Sequence, residues 1–287
     1  MNTTVGIGVL GAGTVGGTLI RRLVSDHAAI EAKTGLDLEV RRVAVRSLDK
    51  ERNFEVGPGV LTDNPQDVVA DPSVGLIVEM MGGRDPAGDL VLAALDSGKP
   101  VVTANKELVA ARGHELIAAA ERTGVPLLFE AAVGGGIPII RPLSETLAGE
   151  QIARVMGIVN GTTNFILTKM AEEGESYETA LAEAQSLGYA EPDPTADVSG
   201  ADAAAKAAIL ASLAFGTWVG LDDVYHEGIE SLSALDMQFA DQLGYRIKLL
   251  GVAEHSLAGV SARVHPVMLP IDHPLAAIRG ATNAIFI

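Results

Sequence analysis

The chain contains no cysteine. Thiol catalysis, disulfides and thiolate metal sites are therefore excluded. Basic side chains are outnumbered, 21 against 37 acidic, for a formal net charge of −16. Such a field repels polyanions and anionic lipid, which argues against nucleic acid and membrane surfaces as partners. No apolar run reaches the length of about 18 residues that marks a spanning helix. No basic-then-apolar leader precedes the first strand, so a soluble, cytoplasmic protein is expected. The six histidines show no metal-ligand spacing, and His226, His255, His265 and His273 read as surface or cap residues. Aromatic residues make up only 4%, whereas glycine is abundant at 32 of 287 residues. That balance suits an α/β protein with many tight strand-helix turns, long enough for two domains.

The most informative stretch is Val5-Gly6-Ile7-Gly8-Val9-Leu10-Gly11-Ala12-Gly13-Thr14-Val15-Gly16. A short apolar strand runs into a glycine turn, and a helical pattern follows through Leu19, Ile20, Leu23 and Val24. In this context the turn is a dinucleotide-binding fingerprint. Gly11 allows the tight turn, Gly13 lets the backbone approach a pyrophosphate, and Gly16 lets helix and strand pack closely. The helix N-terminus then faces the phosphates.

Short apolar runs alternate with amphipathic stretches as far as residue 147. Strands are predicted at Val5–Leu10, Glu39–Val45, Leu76–Glu79, Pro100–Thr103 and Leu127–Phe129. Helices are predicted after Thr14 and at Pro65–Ala70, Pro86–Ser97, Lys106–Thr123 and Pro138–Leu147. This alternation implies a doubly wound, mostly parallel sheet of Rossmann type. From residue 148 the character changes to α+β. A strand is expected at Ile152–Val159 and a helix cap at Asn160-Gly161-Thr162-Thr163-Asn164. Helices are expected at Phe165–Glu173, Tyr177–Leu187, Ser199–Phe215 and Ala234–Leu243, with paired strands at Ile247–Glu254 and Val260–Leu269. The expected organisation is a dinucleotide-binding domain, 1–147, and a substrate-binding and dimerisation domain, 148–287. The strands after Ile247 offer an edge that two copies could share.

Four places carry residues suited to chemistry. Arg46 follows the second strand, where an arginine favours the 2′-phosphate of NADP over the hydroxyl of NAD; a solvated basic loop with Lys50 and Arg52 is the alternative. Lys106 closes Thr103-Ala104-Asn105-Lys106 at a strand C-terminus, facing either a ligand crevice or solvent. Glu130-Ala131-Ala132-Val133-Gly134-Gly135-Gly136-Ile137-Pro138 joins one carboxylate to exposed carbonyls, which makes either a hard-oxygen cation site or a hinge. Asp202 and Lys206 lie four apart on an otherwise apolar helix, so they share one face. A charged pair on such an element points to function or an interface, and an ammonium there can hand a proton to a carbonyl oxygen. Met80-Met81 reads as packing.

These motifs together resemble the homoserine dehydrogenases. The resemblance rests on Gly11 to Gly16, Thr103 to Lys106, Glu130 to Pro138, Asn160 to Asn164, Gly188 to Pro194 and Asp197 to Lys206, and it covers nearly the whole chain. It implies an NAD(P)-dependent oxidoreductase that interconverts L-homoserine and L-aspartate 4-semialdehyde, in threonine, methionine and isoleucine synthesis. By resemblance Lys206 is the proton donor or acceptor and Lys106 a second active-site lysine. Gly188, Glu191, Asp202 and Asp197 are implied to hold substrate. Gly11, Gly13, Thr14, Val15, Gly16, Arg46, Thr103 and Lys106 are implied to hold the cofactor, NADP(H) in preference to NAD(H). Glu130 and the carbonyls of Val133, Gly135 and Ile137 resemble a site for sodium or another monovalent cation. A homodimer is implied as well. The family continues beyond the point where this sequence stops, with a glycine-rich turn and a returning helix, and often a regulatory domain; these are expected to lie outside it. Two alternatives of other kinds stand beside this reading: an aspartate or other amino-acid dehydrogenase on the same scaffold, and a nucleotide-binding module without turnover.

Overall fold

The first strand, β1 (Thr3–Leu10), is buried from Gly6 onward, because helices cover both faces of the sheet it joins. The computed structural model describes residues 3–287. It divides into two units, Met1–Ala132 and Val133–Ile287, each described by itself below.

In the first unit β1 leads into α1 (Thr14–Ser25), α2 (His27–Thr34), β2 (Leu36–Ala44) and β3 (Leu61–Thr62). There follow α3 (Pro65–Ala70), β4 (Leu76–Glu79), α4 (Ala87–Asp96), β5 (Val101–Thr103), α5 (Lys106–Thr123) and β6 (Leu127–Leu128). The six strands are all parallel, in the order β3-β2-β1-β4-β5-β6, the doubly wound dinucleotide-binding topology. Strand alternation splits the core in two. Ile7, Val9, Val43 and Val78 pack with Ile20 and Leu23 of α1. Leu10, Ile77 and Val101 pack with Leu90 and Ala94 of α4 and Leu108 and Leu116 of α5. Two helix starts carry side-chain caps: Asn64 accepts from Gln66 N at α3, and Asn105 accepts from Leu108 N at α5.

The second unit contains β7 (Arg154–Ile158), α6 (Gly161–Glu173), α7 (Tyr177–Ser186), α8 (Thr195–Val198), α9 (Ala201–Phe215), β8 (Tyr225–His226), α10 (Ala234–Gln242), β9 (Tyr245–Ser256), β10 (Gly259–Pro270) and β11 (Ala284–Phe286). Its sheet runs β11-β7-β9-β10-β8. The pairs are antiparallel except β8 with β10. Helix α9 packs on β9 and β10 through a nearly all-alanine face, with Ala203, Ala204, Ala207, Ala208 and Ala211 buried.

The structure departs from the sequence reading in several places. The helix expected at Pro138–Leu147 is instead a short π-turn, Pro142–Thr146. Pro142 has no N–H to continue an α-helical ladder, and Leu147 N bonds to Pro142 O, five residues back, at 2.8 Å. This segment packs against α9, so the division between units falls at Ala132 and Val133 rather than at 147. The helix expected at Ser199–Phe215 starts at Ala201, after Gly200 turns the chain at φ 85°. Helix α2 was not expected, since it buries no residue and so leaves no apolar periodicity to read. The strand expected at Ile247–Glu254 is no edge: β9 lies between β7 and β10. Beyond β10 lies β8, which pairs with it only through Tyr225 and His226.

Candidate active site

The first unit builds a turn that an anion fits. Gly11 has φ 94°, and a Cβ there would lie 2.8 to 2.9 Å from backbone atoms of Met80 and Met81. A Cβ on Gly16 would fall 2.1 Å from the Gly11 carbonyl oxygen. These two glycines are required by close backbone approach. Gly13, in contrast, would meet nothing within 4 Å, so its face is open to a visitor. It is also the N-cap of α1, offers no side chain to cap the first N–H groups, and no acidic residue occupies that first turn. Uncapped N–H groups and the positive end of the helix dipole suit a phosphate. Thr14 starts the helix beside it, and Val15 is exposed.

Beside this turn lies a buried carboxylate that the sequence reading passed over. Glu79 ends β4 and is fully buried. Its Oε1 accepts from Met81 N at 2.7 Å, Gly82 N at 3.3 Å and Asn105 Nδ2 at 3.4 Å. Its Oε2 accepts from Thr103 Oγ1 at 2.5 Å. Asn105 Nδ2 also donates to Gly83 O at 2.6 Å. Thr103 and Asn105, both buried, thereby hold the start of α5, where Lys106 is the first residue. Lys106 itself is half-buried. Arg46 is exposed past the end of β2. The loop after it is gathered by Arg52, whose guanidinium donates to the carbonyls of Ser47, Leu48 and Lys50.

The second unit assembles a cluster of charges at the N-terminal ends of α6 and α9. Asn160 caps α6, its Oδ1 accepting from Thr163 N at 2.9 Å. Its Nδ2 donates to Asp197 Oδ1 at 2.7 Å and to Asp202 Oδ2 at 2.8 Å. Lys206 Nζ donates to the same Asp202 Oδ2 at 2.6 Å and to Val159 O at 2.7 Å. The side chains of Lys206 and Asp202 are 15% and 8% exposed. This is no solvated surface pair but an ammonium held in a shielded pocket of oxygens, where hydrogen bonds to charged groups are strong. Three of the residues singled out from the sequence, Asp197, Asp202 and Lys206, therefore meet. Gly188 and Glu191 are exposed on the chain between α7 and α8. That chain is tied down by Gln185 Nε2, which donates to Glu191 O and Pro192 O, and by Thr162 Oγ1, which donates to Tyr189 O at 2.7 Å.

In the glycine-rich stretch, Glu130 opens a 3₁₀ turn ending at Ala132. Val133 is buried, whereas Gly135 and Ile137 reach the surface. Gly134 and Gly135 take successive left-handed conformations, φ 75° and 63°. Asn283 lies alongside, its Nδ2 3.8 Å from where a Gly135 Cβ would be. Its Oδ1 is buried with no hydrogen-bond partner. Among the described residues no group of three or more His, Cys, Asp or Glu is placed to hold a metal, so a cation here would rest mainly on carbonyl oxygens.

Two family profiles cover the chain. Residues 11–130 match the homoserine dehydrogenase NAD-binding domain, and residues 138–287 match homoserine dehydrogenase. The chain belongs to the homoserine dehydrogenase family. A curated homoserine dehydrogenase of Corynebacterium glutamicum is 51% identical over 99% of this chain and 65% of its own length. A solved homoserine dehydrogenase from Thiobacillus denitrificans superimposes with a TM-score of 0.92 at 47% identity, over 99% of this chain and 65% of that one. A hyperthermophilic archaeal homoserine dehydrogenase in complex with NADPH matches with a TM-score of 0.76 at 29% identity, over 99% and 87%. The chain thus spans about two-thirds of the length of the curated relatives it matches, 65% for that of C. glutamicum.

The family's fold was legible in the sequence, and two polar organisers were not. Asn160 was read as a cap only; its bond to two aspartates depends on residues 37 and 42 positions away. Glu79 was read as the end of a strand. A signal did exist: a carboxylate after three apolar strand residues, before Met-Met-Gly-Gly, with Thr and Asn closing the next strand. Among the described residues no helix is long and apolar enough to cross a membrane.

Proposed function

We propose that this chain carries the catalytic machinery for interconverting L-homoserine and L-aspartate 4-semialdehyde, a step of threonine, methionine and isoleucine synthesis. The observation that carries this reading is the Lys206 ammonium, held by Asp202 and Val159 O inside a largely buried polar cluster. A nicotinamide bound at the first unit supplies or accepts hydride. The chain's own task is to hold substrate and to manage one proton. Lysine has three N–H donors, and the two bonds to Asp202 and Val159 leave one for an incoming carbonyl or alkoxide oxygen. Asp202 orients the ammonium, and Asn160 Nδ2 bridges Asp202 and Asp197 and so fixes both carboxylates. Asp197, Glu191 and the backbone at Gly188 offer anionic and carbonyl oxygens to the substrate's amino group. Lys106, at the start of α5, adds positive charge beside the cofactor.

The cofactor preference is proposed to be NADP(H) over NAD(H), because Arg46 is exposed at the end of β2 with a guanidinium suited to a 2′-phosphate. The turn at Gly11, Gly13, Thr14, Val15 and Gly16 would hold the pyrophosphate, with Thr103 and Lys106 toward the other end of the nucleotide. A sodium or potassium ion is proposed at Glu130 and the carbonyls of Val133, Gly135 and Ile137. The left-handed glycines and the unpartnered Asn283 oxygen suit such an ion.

Homoserine-dependent reduction of NADP and of NAD, followed at the absorbance band of the reduced nucleotide, tests the reading. Turnover with NADP faster than with NAD is expected. No turnover with either nucleotide, on this chain and on a longer form, sinks it. Repeating the assay with and without added sodium or potassium on Glu130→Ala tests the cation, since stimulation that survives the substitution removes the site. A homodimer through the second unit is proposed from an apolar stripe along α10 and its C-cap Leu243. Leu235, Phe239 and Leu243 recur every four residues and are 56%, 52% and 68% exposed. Sedimentation should give twice the chain mass, and Phe239→Glu should return it to the monomer.

A further inference from the structure

We infer that Glu79 is a positioning residue that locks both cofactor-facing loops of the first unit to one buried carboxylate. The inference rests on the reading just given and adds a residue to it. Three observations carry it.

The first is burial. Glu79 is fully buried, and a carboxylate in that environment is tolerated only when its oxygens are well supplied with donors. Four donors reach it: Met81 N, Gly82 N, Thr103 Oγ1 and Asn105 Nδ2. No ammonium or guanidinium is among them, so the group is held by neutral dipoles from two loops.

The second is what those loops touch. Met80 and Met81 form the wall on which Gly11 rests, and Met80 N donates to Leu10 O at 2.7 Å. The carboxylate that ties down Met81 and Gly82 therefore sets the floor under the dinucleotide turn. On the other side, Thr103 and Asn105 fix the cap of α5, immediately before Lys106.

The third is what the sequence offers in its place. Gly82 and Gly83 both take left-handed conformations, φ 74° and 72°, which glycine adopts in many other arrangements as well. Without the carboxylate, Met81 N and Gly82 N lose their acceptor, and the bond from Asn105 Nδ2 to Gly83 O is left to hold the glycine turn. Glu79 thus converts a permissive glycine turn into a fixed one, and couples it to Asn105.

Glu79→Gln keeps the shape but gives one arm an N–H₂ where an acceptor stood. Glu79→Ala removes the anchor. The readouts are the Kd of NADPH by nucleotide fluorescence, kcat and KM for homoserine, thermal unfolding, and amide exchange at Met81, Gly82 and Asn105. In Glu79→Gln the Kd is expected to rise about tenfold and kcat to fall with it. The KM for homoserine, which the second unit governs, should stay within about twofold. Glu79→Ala should show larger losses, and both variants should lose amide protection at Met81 and Gly82. If Kd and kcat of Glu79→Gln stay within about twofold of the parent while the melting temperature drops, the residue is merely structural and the inference falls. Should Glu79→Ala fail to fold, Glu79→Gln decides alone. A parent chain that neither binds NADPH nor turns over sinks the functional reading. In that event the amide exchange still decides whether Glu79 orders the loop.

Discussion

Lys206 and Lys248 sit in the same unit and are both largely shielded from water, yet they are built in opposite ways. Lys206 has a carboxylate partner at 2.6 Å. Lys248, on β9 and 4% exposed, donates to Asn164 Oδ1 at 3.0 Å and to Ile278 O at 2.5 Å, both neutral oxygens. Burial pushes its ammonium down to about 8; Glu172 raises it slightly, and Arg246 and Arg279 lower it further. A buried ammonium with a charged partner is a stable tool. One with dipoles alone costs stability and is kept for what it ties together. Here it ties the chain at 278–282, because Asn164 Nδ2 donates to Gly280 O at 2.8 Å beside it.

The largest expected effect breaks the comparison on the side of chemistry. Lys206→Ala should lower kcat by roughly 10²–10⁴ while NADPH still binds, since general acid catalysis is worth about that much. Steady-state kinetics and nucleotide titration check it, and an unchanged kcat would remove Lys206 from the mechanism. Lys248 sharpens the comparison on the side of stability. Below its folded value of about 8 the lysine is charged both folded and unfolded, and the full burial penalty applies. As pH climbs from there toward its ordinary value of 10.5, the unfolded chain holds more protons than the folded one, so stability rises. The difference in unfolding free energy between the parent and Lys248→Met should therefore shift in the parent's favour by about 3 kcal/mol across that window. Urea titrations at several pH values read it. A difference that does not change with pH would mean that Lys248 is not strained by burial.

The same contrast explains what could be read from sequence. The dinucleotide turn was legible because glycine at Gly11 and Gly16 answers a local steric demand, and local demands leave local patterns. The Asp202–Lys206 pair was legible because helical spacing puts both on one face of an apolar element. The division of the compact units at Ala132 and Val133 leaves no local pattern, because the packing of Pro142–Thr146 on α9 is tertiary. Lys248 was invisible for the same reason. With Arg246 it reads as one of two basic positions in the otherwise mostly apolar run Tyr245 to Ala253, and its partners stand 84 and 30 residues away. Asn160 was half legible, its capping role being local and its bonds to the aspartates not.

The helix that bears Lys206 rests on the sheet through methyl groups. Ala207 follows the lysine directly, and a methyl added to Gly251 of β9 would come within 3.4 Å of it. The height of the ammonium above the strands is therefore set by the smallest side chains available. A methyl at Gly251 would still sit at ordinary contact distance from Ala207, but a side chain larger than alanine at either position would press α9 away from β9 and disturb the alignment of Lys206 and Asp202 with Asn160. The alanines act as shims, and the accuracy of the charged cluster rests on their thinness.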